Sequence, residues 1–391
     1  MQDLHPLLPN LRHVAATLAV LRLGSVTAAS SALNLTQPAI SQAVSRLEQQ
    51  LGVMLFYRES SGMVGTPALH RAVPHLSRLL EHVHAGLAET GSEAGHQVTA
   101  THLRAVLDLT SHGSLAAAAR ARATSRATLH RPIRELQNVL GVALLEATSH
   151  GLRPTRTALR LARRVHLACV EWRASCSEVS EQTGRATGMT IIGAMPLARS
   201  VVVPAALLAL AEAYPAHRIS VLDGPYESML EALLGGQADL LVGALRETTS
   251  SQVSQTPLFD DPLIVVARAG HPLARQTARA RALRMSAWIA PRASSPLRRR
   301  FDELIGHSGP TTAIECNSLV AARELLLSSD RLMLTSQHQV RRELVSGTLE
   351  RIAHPFGEMS RTIGLTQRRD WVPTTAQRFL LQQLQAEAAR L

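Results

Sequence analysis

The hydrophobic pattern of residues 11–51 predicts three short helices in succession. The first ends at Gly24, and the second, rich in small residues, ends near Asn34, a residue that suits a tight turn. Thr36 is a good N-cap for the third helix, and Pro38 falls in its first turn, where a missing N–H costs little. The inward stripe of this third helix consists of Ile40, Val44, Leu47 and Leu51.

The opposite face of the third helix is polar, small and nearly uncharged. At about 100° per residue, its members are Pro38, Ser41, Gln42, Ser45 and Arg46. Gln pairs with adenine edges, Arg with guanine, and Ser with bases or phosphates, so the face suits a helix in a major groove. Arg58 and the turn at residues 60–62 predict a β-wing beside it. A plain three-helix bundle would show the same periodicity, and this alternative stays open here.

The same pattern returns 89 residues later without a gap, which predicts one duplicated supersecondary unit. Residues 24–66 and 113–155 are identical at positions that include Gly24/Gly113, Ser25/Ser114, Ala28/Ala117, Ala29/Ala118, Ala32/Ala121, Leu47/Leu136, Leu51/Leu140, Gly52/Gly141, Val53/Val142, Leu55/Leu144, Gly62/Gly151 and Thr66/Thr155.

The second copy keeps its scaffold and changes its outer face. Leu129, Ile133, Leu136 and Leu140 preserve the inward stripe. Pro132 predicts a helix that is kinked or starts late, because an interior proline costs roughly 3 kcal/mol. Two interpretations stay open: a degenerate DNA-binding module that holds phosphates, or a structural remnant with a dimerisation role. The outward residues are Ala127, His130, Arg131, Arg134 and Glu135.

Charge favours the phosphate interpretation. Residues 100–188 contain thirteen arginines and six acids, a net charge of +7, whereas residues 1–99 have a net charge of zero. Phosphate contacts supply most of the non-specific affinity of proteins for DNA. The candidate contacts on the second recognition helix are Arg126, Arg131 and Arg134.

Each module is followed by a predicted helix, at residues 68–89 and 158–181. Two such helices in one chain can pair with each other, so that one polypeptide imitates a pair of DNA-binding heads. Residues 91–95 and 182–188, rich in glycine and polar residues, predict hinges on either side of the second unit.

From residue 189 onwards, apolar runs typical of strands alternate with helical patterns, which predicts parallel strands flanked by helices. A second set of strands interrupts the first and predicts two lobes with a cleft between them. Lobe I comprises residues 189–259 and 356–391, and lobe II residues 263–354.

Residues 10–68, with GS, AA, TQPAISQAVSRLE and LGVMLFYR in order, resemble the winged helix-turn-helix of LysR-type transcriptional regulators. The family resemblance implies an α/β multidomain protein: a winged helix-turn-helix (10–68), a linker helix (69–95), a second, degenerate unit (100–157), its linker (158–185) and a periplasmic-binding-protein-like effector domain (189–391). Gln42 stands where many relatives carry Arg or Lys. The implied DNA-facing residues are Gln37, Pro38, Ser41, Gln42, Ser45 and Arg46, to which Thr36 and Arg58 are added as flanking candidates.

The strings GAMPLARS, LDGPYESMLEALLGGQADLLVGALRE, HPLA and RTIGLTQRRDWVPTTAQ resemble the family's effector domain, in particular that of regulators of sugar-binding-protein genes. The resemblance implies a small-molecule effector between the lobes, and both a carboxylate and a sugar stay open. Helix N-termini favour an anion there, although N-capping alone explains Ser295 and Ser318 equally well. The implied effector residues are Met195, Pro196, Leu197, Ser294, Ser295, Asn317 and Ser318.

The sequence lacks the motifs typical of enzymes and of metal-binding proteins. The three cysteines form no CxxC pair, the histidines have no HExxH spacing, and no nucleophile elbow or phosphate loop occurs, so we expect no enzyme, metal or cofactor. Residues 1–10 do not look like a signal peptide, and the apolar run 201–211 is too short for a membrane span. We expect a cytoplasmic homo-oligomer that binds operator DNA. The alternative is a cytoplasmic solute-binding protein whose N-terminal helices only mediate assembly.

Overall fold

The computed structural model shows how the duplicated segments and the C-terminal half are built. It describes residues 8–60, 62–92, 97–149, 151–182, 187–247, 250–275, 277–293, 295–306 and 313–391. The predicted hinges at 91–95 and 182–188 therefore lie partly outside the described residues.

The first unit is a winged helix-turn-helix followed by a long helix. Ser25 and Thr36 cap the second and third helices by accepting hydrogen bonds from Ala28 N and Ala39 N, as their side chains predict. Asn34 ends the second helix in the left-handed region, at φ 51°. The elements are α1 (Leu11–Leu23), α2 (Val26–Leu33), α3 (Gln37–Leu51), β1 (Phe56–Glu59), β2 (Gly62–Gly65) and α4 (Pro67–Ala88).

The second unit repeats this order of elements. Its third helix begins right after Ser125, which caps Thr128 N, and the helix continues through Pro132. The expectation of a late start is therefore wrong: the serine cap and the buried apolar stripe hold the helix in spite of the proline. The elements are α5 (Ala100–His112), α6 (Leu115–Ala121), α7 (Arg126–Leu140), β3 (Leu145–Thr148), β4 (Gly151–Pro154) and α8 (Arg156–Gln182).

Equivalent hydrogen bonds hold the wing against the third helix in both units. Glu48 Oε1 accepts from Leu55 N at 2.7 Å, and Gln137 Oε1 accepts from Leu144 N at 3.0 Å. Because a carboxylate and an amide oxygen fill the same acceptor position, the substitution of Gln for Glu keeps the local geometry. The second unit is thus a folded module.

The long helices α4 and α8 pack against each other along an antiparallel seam. His75 of α4 meets Glu171 of α8, and Gly86, near the end of α4, meets Arg164, near the start of α8. A Cβ atom on Gly86 would lie 2.8 Å from the Arg164 Cβ, so glycine permits this close approach. One continuous core of buried apolar side chains runs through both units and both long helices.

The C-terminal half forms one mixed sheet with helices on its faces. The strand order is β10-β9-β11-β8-β13-β7-β5-β6, with β12 paired to β8. The elements are β5 (Gly188–Ala194), α9 (Pro196–Ser200), α10 (Val202–Ala213), β6 (His217–Leu222), α11 (Tyr226–Leu234), β7 (Leu240–Ala244), β8 (Val253–Arg268), a 3-10 helix (Pro272–Arg275), α12 (Ala280–Met285), β9 (Trp288–Ala290), α13 (Pro296–Ile305), β10 (Ile314–Glu315), α14 (Leu319–Leu327), β11 (Leu332–Ser336), α15 (Arg341–Ser346), β12 (Leu349–Arg351), β13 (Met359–Arg368) and α16 (Thr375–Ala388).

Two long antiparallel strands, β8 and β13, join the lobes. In lobe I, β5 pairs in parallel with β6 and β7, and in lobe II β9 pairs in parallel with β10 and β11. The crossover strand β8 begins at Val253, within lobe I, although the second set of strands is expected from the sequence to begin with lobe II at residue 263. The sequence of this segment is typical of a loop because it contains Pro257, Asp260 and Asp261. Pairing with β13 nevertheless keeps it extended.

The turn between α6 and α7 offers a test of the repeated backbone geometry. Ala123 occupies the position of Asn34 and is also left-handed, at φ 48°. Because a left-handed conformation costs an ordinary residue roughly 1–2 kcal/mol and suits Asn better, Ala123→Asn should stabilise the second unit. We expect about fivefold slower hydrogen–deuterium exchange for amides of α6 and α7, which corresponds to about 1 kcal/mol.

The reciprocal variant Asn34→Ala is the matched control, since both positions are exposed. It should speed exchange in α2 and α3 by a similar factor. Faster exchange in α6 and α7 of the Ala123→Asn variant would contradict the argument.

Candidate DNA-binding face and effector cleft

The outer face of α3 is fully presented to solvent. Ile40, Val44 and Leu47 are buried under it, which orients the helix and leaves its opposite side free. Arg46 Nη1 donates to Gln49 Oε1 at 3.3 Å on the same exposed side. The structure therefore brings the sequence-derived candidates onto one surface with the wing. The exposed candidates are Thr36, Gln37, Pro38, Ser41, Gln42, Ser45, Arg46 and, on β1, Arg58.

The corresponding face of α7 carries other chemistry. Arg126 and Arg134 stand in the positions of Gln37 and Ser45, and both are exposed. Arg131, in the position of Gln42, donates from Nε to Glu135 Oε1 at 2.8 Å. This hydrogen bond lowers the pKa of Glu135, so the pair stays charged at neutral pH. Part of the positive charge of Arg131 is thus offset within the helix.

A cavity of about 160 Å³ lies between the two lobes. Lobe I contributes Met195, Pro196 and Leu197 at the end of β5, and lobe II contributes Asn317 and Ser318 before α14. These five sequence-derived effector residues therefore meet at one site. Ser295 and Arg292 are not among the described residues that line it, and Ser294 lies outside the described residues.

The cavity also contains polar side chains that the sequence did not single out. Thr335, Gln339 and Arg361 line it. Arg361 Nε donates to Asp261 Oδ2 at 3.0 Å, and Asp261 is fully buried, so the charge of Arg361 is balanced. These partners lie 100 residues apart in the chain, and no local pattern could have indicated them.

Arg246 lines the cavity and is oriented by neighbours in lobe I. Its Nη1 lies 3.4 Å from Glu227 Oε1, and its guanidinium stacks 4.0 Å from the centre of the Tyr226 ring. The Glu227 side chain is 66% exposed, which weakens this ion pair by solvent screening. The stacking orients the guanidinium at the wall of the cavity.

Both serine caps predicted at the cleft are formed. Ser295 Oγ accepts from Arg298 N at 3.2 Å, and Ser318 Oγ accepts from Ala321 N at 3.3 Å. Ser318 is a cap and lines the cavity, whereas at Ser295 the lining residues are the next two, Pro296 and Leu297. The first turn of α14 therefore points exposed N–H groups towards the space between the lobes.

A buried carboxylate, Glu171, fastens the two long helices together. Its side chain is 5% exposed and meets His75 Nδ1 at 2.7 Å and Arg78 Nε at 3.3 Å. Arg78 also binds Asp370, after β13, at 2.7 Å. The same cluster thus connects α4, α8 and the effector domain.

The cysteines of α8 are inert. Burial raises the pKa of Cys169 and that of Cys176 to about 12, so their thiols stay protonated. The described residues contain no group of His, Cys, Asp or Glu side chains placed to hold a metal ion. Among these residues, no helix has both the length and the apolar character to cross a lipid bilayer.

Comparison with known protein families places this fold. The model of the LysR substrate binding domain matches residues 183–389, more than half of the chain. The chain belongs to the LysR family of bacterial transcriptional regulators. The model of the lysR-family bacterial regulatory helix-turn-helix protein matches twice, at residues 11–68 and 100–159.

Similar proteins match this chain over most or nearly all of its length. The transcriptional regulator GalR of Pseudomonas putida is 30% identical over 368 residues, which cover 92% of this chain and 93% of GalR. ArgP of Mycobacterium tuberculosis has the same fold, with a TM-score of 0.59 and 14% identity over 74% of this chain and 97% of ArgP. A full-length OxyR variant of Pseudomonas aeruginosa gives a TM-score of 0.55 and 19% identity over 73% of this chain and 97% of OxyR. The match to GalR thus covers a larger share of this chain than the matches to ArgP and OxyR do.

The LysR-family chain is a DNA-binding transcriptional regulator with an effector domain, and its relatives are regulators and not enzymes. Regulators of this family bind operator DNA and small-molecule effectors and are typically oligomeric. These findings exclude the alternative in which the N-terminal helices serve assembly only.

His82, buried beside Glu171, makes the helix pair sensitive to acid. Burial lowers the pKa of His82 below its ordinary 6.5, while Glu171 raises it and Arg78 lowers it by smaller amounts. The unfolded chain then binds a proton at higher pH than the folded chain, so stability is present above pH 6.5 and is lost as pH falls towards the folded pKa.

We expect the melting temperature of His82→Gln to fall less than that of the wild type between about pH 7.5 and about pH 5.5. His84→Gln, an exposed position on the same helix, should behave like the wild type. An identical pH dependence in the wild type and in His82→Gln would contradict this assignment.

Proposed function

We propose that this regulator reads its operator through α3 and responds to a small carboxylate in the cleft. The observation that carries the proposal is that one chain exposes an intact recognition face and also encloses a cavity beside Arg246. DNA binding and ligand binding then lie on different modules, as a ligand-responsive regulator requires.

The DNA-binding residues proposed for base recognition are those at the start and middle of α3. Gln37, Ser41 and Gln42 supply side chains that hydrogen-bond base edges, and Arg46 suits guanine. Thr36, Pro38, Ser45 and Arg58 lie on the same surface and suit contacts with the sugar–phosphate backbone. The N-terminal part of a recognition helix is the part that reaches base edges.

The ligand proposed for the cleft combines a negative charge with a compact apolar part. Arg246 and the first turn of α14 favour the charge, because helix N-termini and guanidinium groups both bind carboxylates. Met195, Leu197 and Ile289 give the cavity apolar surface, and Thr335 and Gln339 give it polar groups. The resemblance to regulators of sugar-binding-protein genes makes a neutral sugar the competing ligand.

A ligand in this position touches both lobes at once. Lobe I holds it through Arg246 and the residues after β5, and lobe II through Asn317 and Ser318. A molecule that binds both lobes stabilises one arrangement of the lobes over others by its difference in affinity. The cluster around Glu171, which joins α4, α8 and Asp370, gives this change a direct connection to the DNA-binding units.

Gln42 provides the test of base recognition. With the preferred duplex selected from a random DNA pool, Gln42→Ala should weaken specific binding by about 1–3 kcal/mol and leave binding to random DNA nearly unchanged. Fluorescence anisotropy with both duplexes measures the two affinities. Gln50→Ala, exposed at the C-terminal end of α3, is the matched control and should change neither affinity. Equal losses on both duplexes would remove Gln42 from base recognition.

Thermal unfolding of the full chain provides the test of the ligand class. A panel of small aliphatic and aromatic carboxylates, each beside its neutral amide, should contain acids that raise the melting temperature while their amides do not. A ligand at a hundred times its Kd stabilises the folded state by about 2.7 kcal/mol.

Arg246→Gln should abolish this shift, whereas Arg292→Gln, exposed and outside the cavity lining, should retain it. A shift caused by neutral hexoses and by none of the carboxylates would replace the proposed carboxylate with a sugar.

A further inference from the structure

The two DNA-binding units are held in a fixed relation inside one chain. Their long helices α4 and α8 share the core that runs through both units, and buried Glu171 bonds across the seam to His75. A second bond links Arg164 of α8 to Glu89, just after α4, at 2.6 Å. The units therefore behave as one rigid, two-headed body.

The contacts across the seam follow an approximate two-fold arrangement. With the 89-residue offset removed, Glu171 corresponds to position 82 and Arg164 to position 75 of the first unit. His75 faces Glu171, so position 75 of the first copy lies opposite position 82 of the second. In the other direction, Gly86 of the first copy faces Arg164, which is position 75 of the second copy. Helix-turn-helix dimers use such a two-fold axis to place two recognition helices on two half-sites one turn of DNA apart.

The second head carries different side chains from the first at the positions of the base-reading candidates, with exposed arginines in place of Gln37 and Ser45. Glu135 stands in the position of Arg46 and holds Arg131, which stands in the position of Gln42. Arg126 and Arg134 are exposed, and among the described residues no hydrogen bond or ion pair is found for either side chain. Arg153 on the wing strand β4 is also exposed.

We propose that a single chain covers both half-sites of one operator, with α3 recognising bases in one major groove and α7 with its wing holding phosphates of the neighbouring half-site. This inference rests on the proposed function of α3. The electrostatics support the division of labour, because residues 1–99 are neutral overall and residues 100–188 carry +7. The second head then supplies most of the electrostatic attraction to the DNA backbone.

The shape of the selected DNA motif gives the first test. Duplexes that the full chain selects from a random pool should contain one information-rich half-site and, one helical turn away, a segment without base preference. A selected inverted repeat with two equal halves would overturn the inference, because it would require two copies of α3 from two chains.

The salt dependence of binding gives the second test. On a duplex with the selected half-site and the neighbouring turn, Arg126→Gln with Arg134→Gln should make the slope of log affinity against log salt shallower by about 1.8, at about 0.9 per phosphate. The order of preference among half-site sequences should not change. Arg281→Gln with Arg284→Gln, two exposed arginines on α12, removes the same charge and should leave the slope unchanged.

A shortened duplex that ends at the selected half-site completes the design. It lacks the DNA proposed for α7, so the wild type and the Arg126/Arg134 double variant should show the same slope on it. A double variant with wild-type slope on the long duplex overturns the role of α7 while half-site preference persists. Failure of the wild type to select any sequence would overturn the proposed function of α3 itself.

Discussion

The antiparallel packing of α4 against α8 is the constraint on which the N-terminal half depends. A helix-turn-helix unit of this size has a small core, and here the two units, with their long helices, bury their apolar faces in one common core. Glu171 is buried in this seam and is tolerated because His75 and Arg78 satisfy it. Removal of either His75 or Arg78 would leave the buried Glu171 carboxylate with one partner fewer in an apolar environment.

The same seam connects DNA binding with effector binding. Glu178 lies about two helical turns beyond Glu171 on α8. It accepts hydrogen bonds from Thr375 N and Oγ1 at the start of α16. Arg163 of α8 donates to Leu234 O of α11 at 3.2 Å. The helix α8 is therefore both the partner of α4 and the base on which lobe I lies, so a shift of lobe I acts on α8 directly.

Local chemistry explains which parts of this molecule the sequence predicts well. Gly24 ends α1, and Thr36 and the apolar stripe define α3, in each case by contacts within a few residues. The same holds at the repeated positions. Pairings between distant residues carry no such signal: Asp261 with Arg361, and His75 with Glu171, join segments about a hundred residues apart. Pro132 and the polar start of β8 misled for the same reason, since tertiary packing overrides local preference there.

The effector site shows the same division. Met195, Pro196 and Leu197 follow a strongly apolar strand and could be placed from the pattern together with the family resemblance. Arg361 and Thr335 reach the cavity from β13 and β11, whose neighbours are fixed only by the sheet order. Ser295 looked equivalent to Ser318 in sequence, and both helix N-termini reach the cavity, but α13 does so through Pro296 and Leu297 and α14 through Ser318 itself.

The pairing of two unequal copies in one chain also changes how this protein can evolve. In a homodimer every substitution appears on both sides of the axis. A glutamate at position 82 would therefore occur twice at the seam, each time facing position 75 of the other chain. Here Glu171 occurs opposite His75, while the equivalent position in the first copy remains His82. Because the two copies in this chain differ in sequence, each half of the seam can change separately, and a buried carboxylate can be present on one side without a second one at the equivalent position.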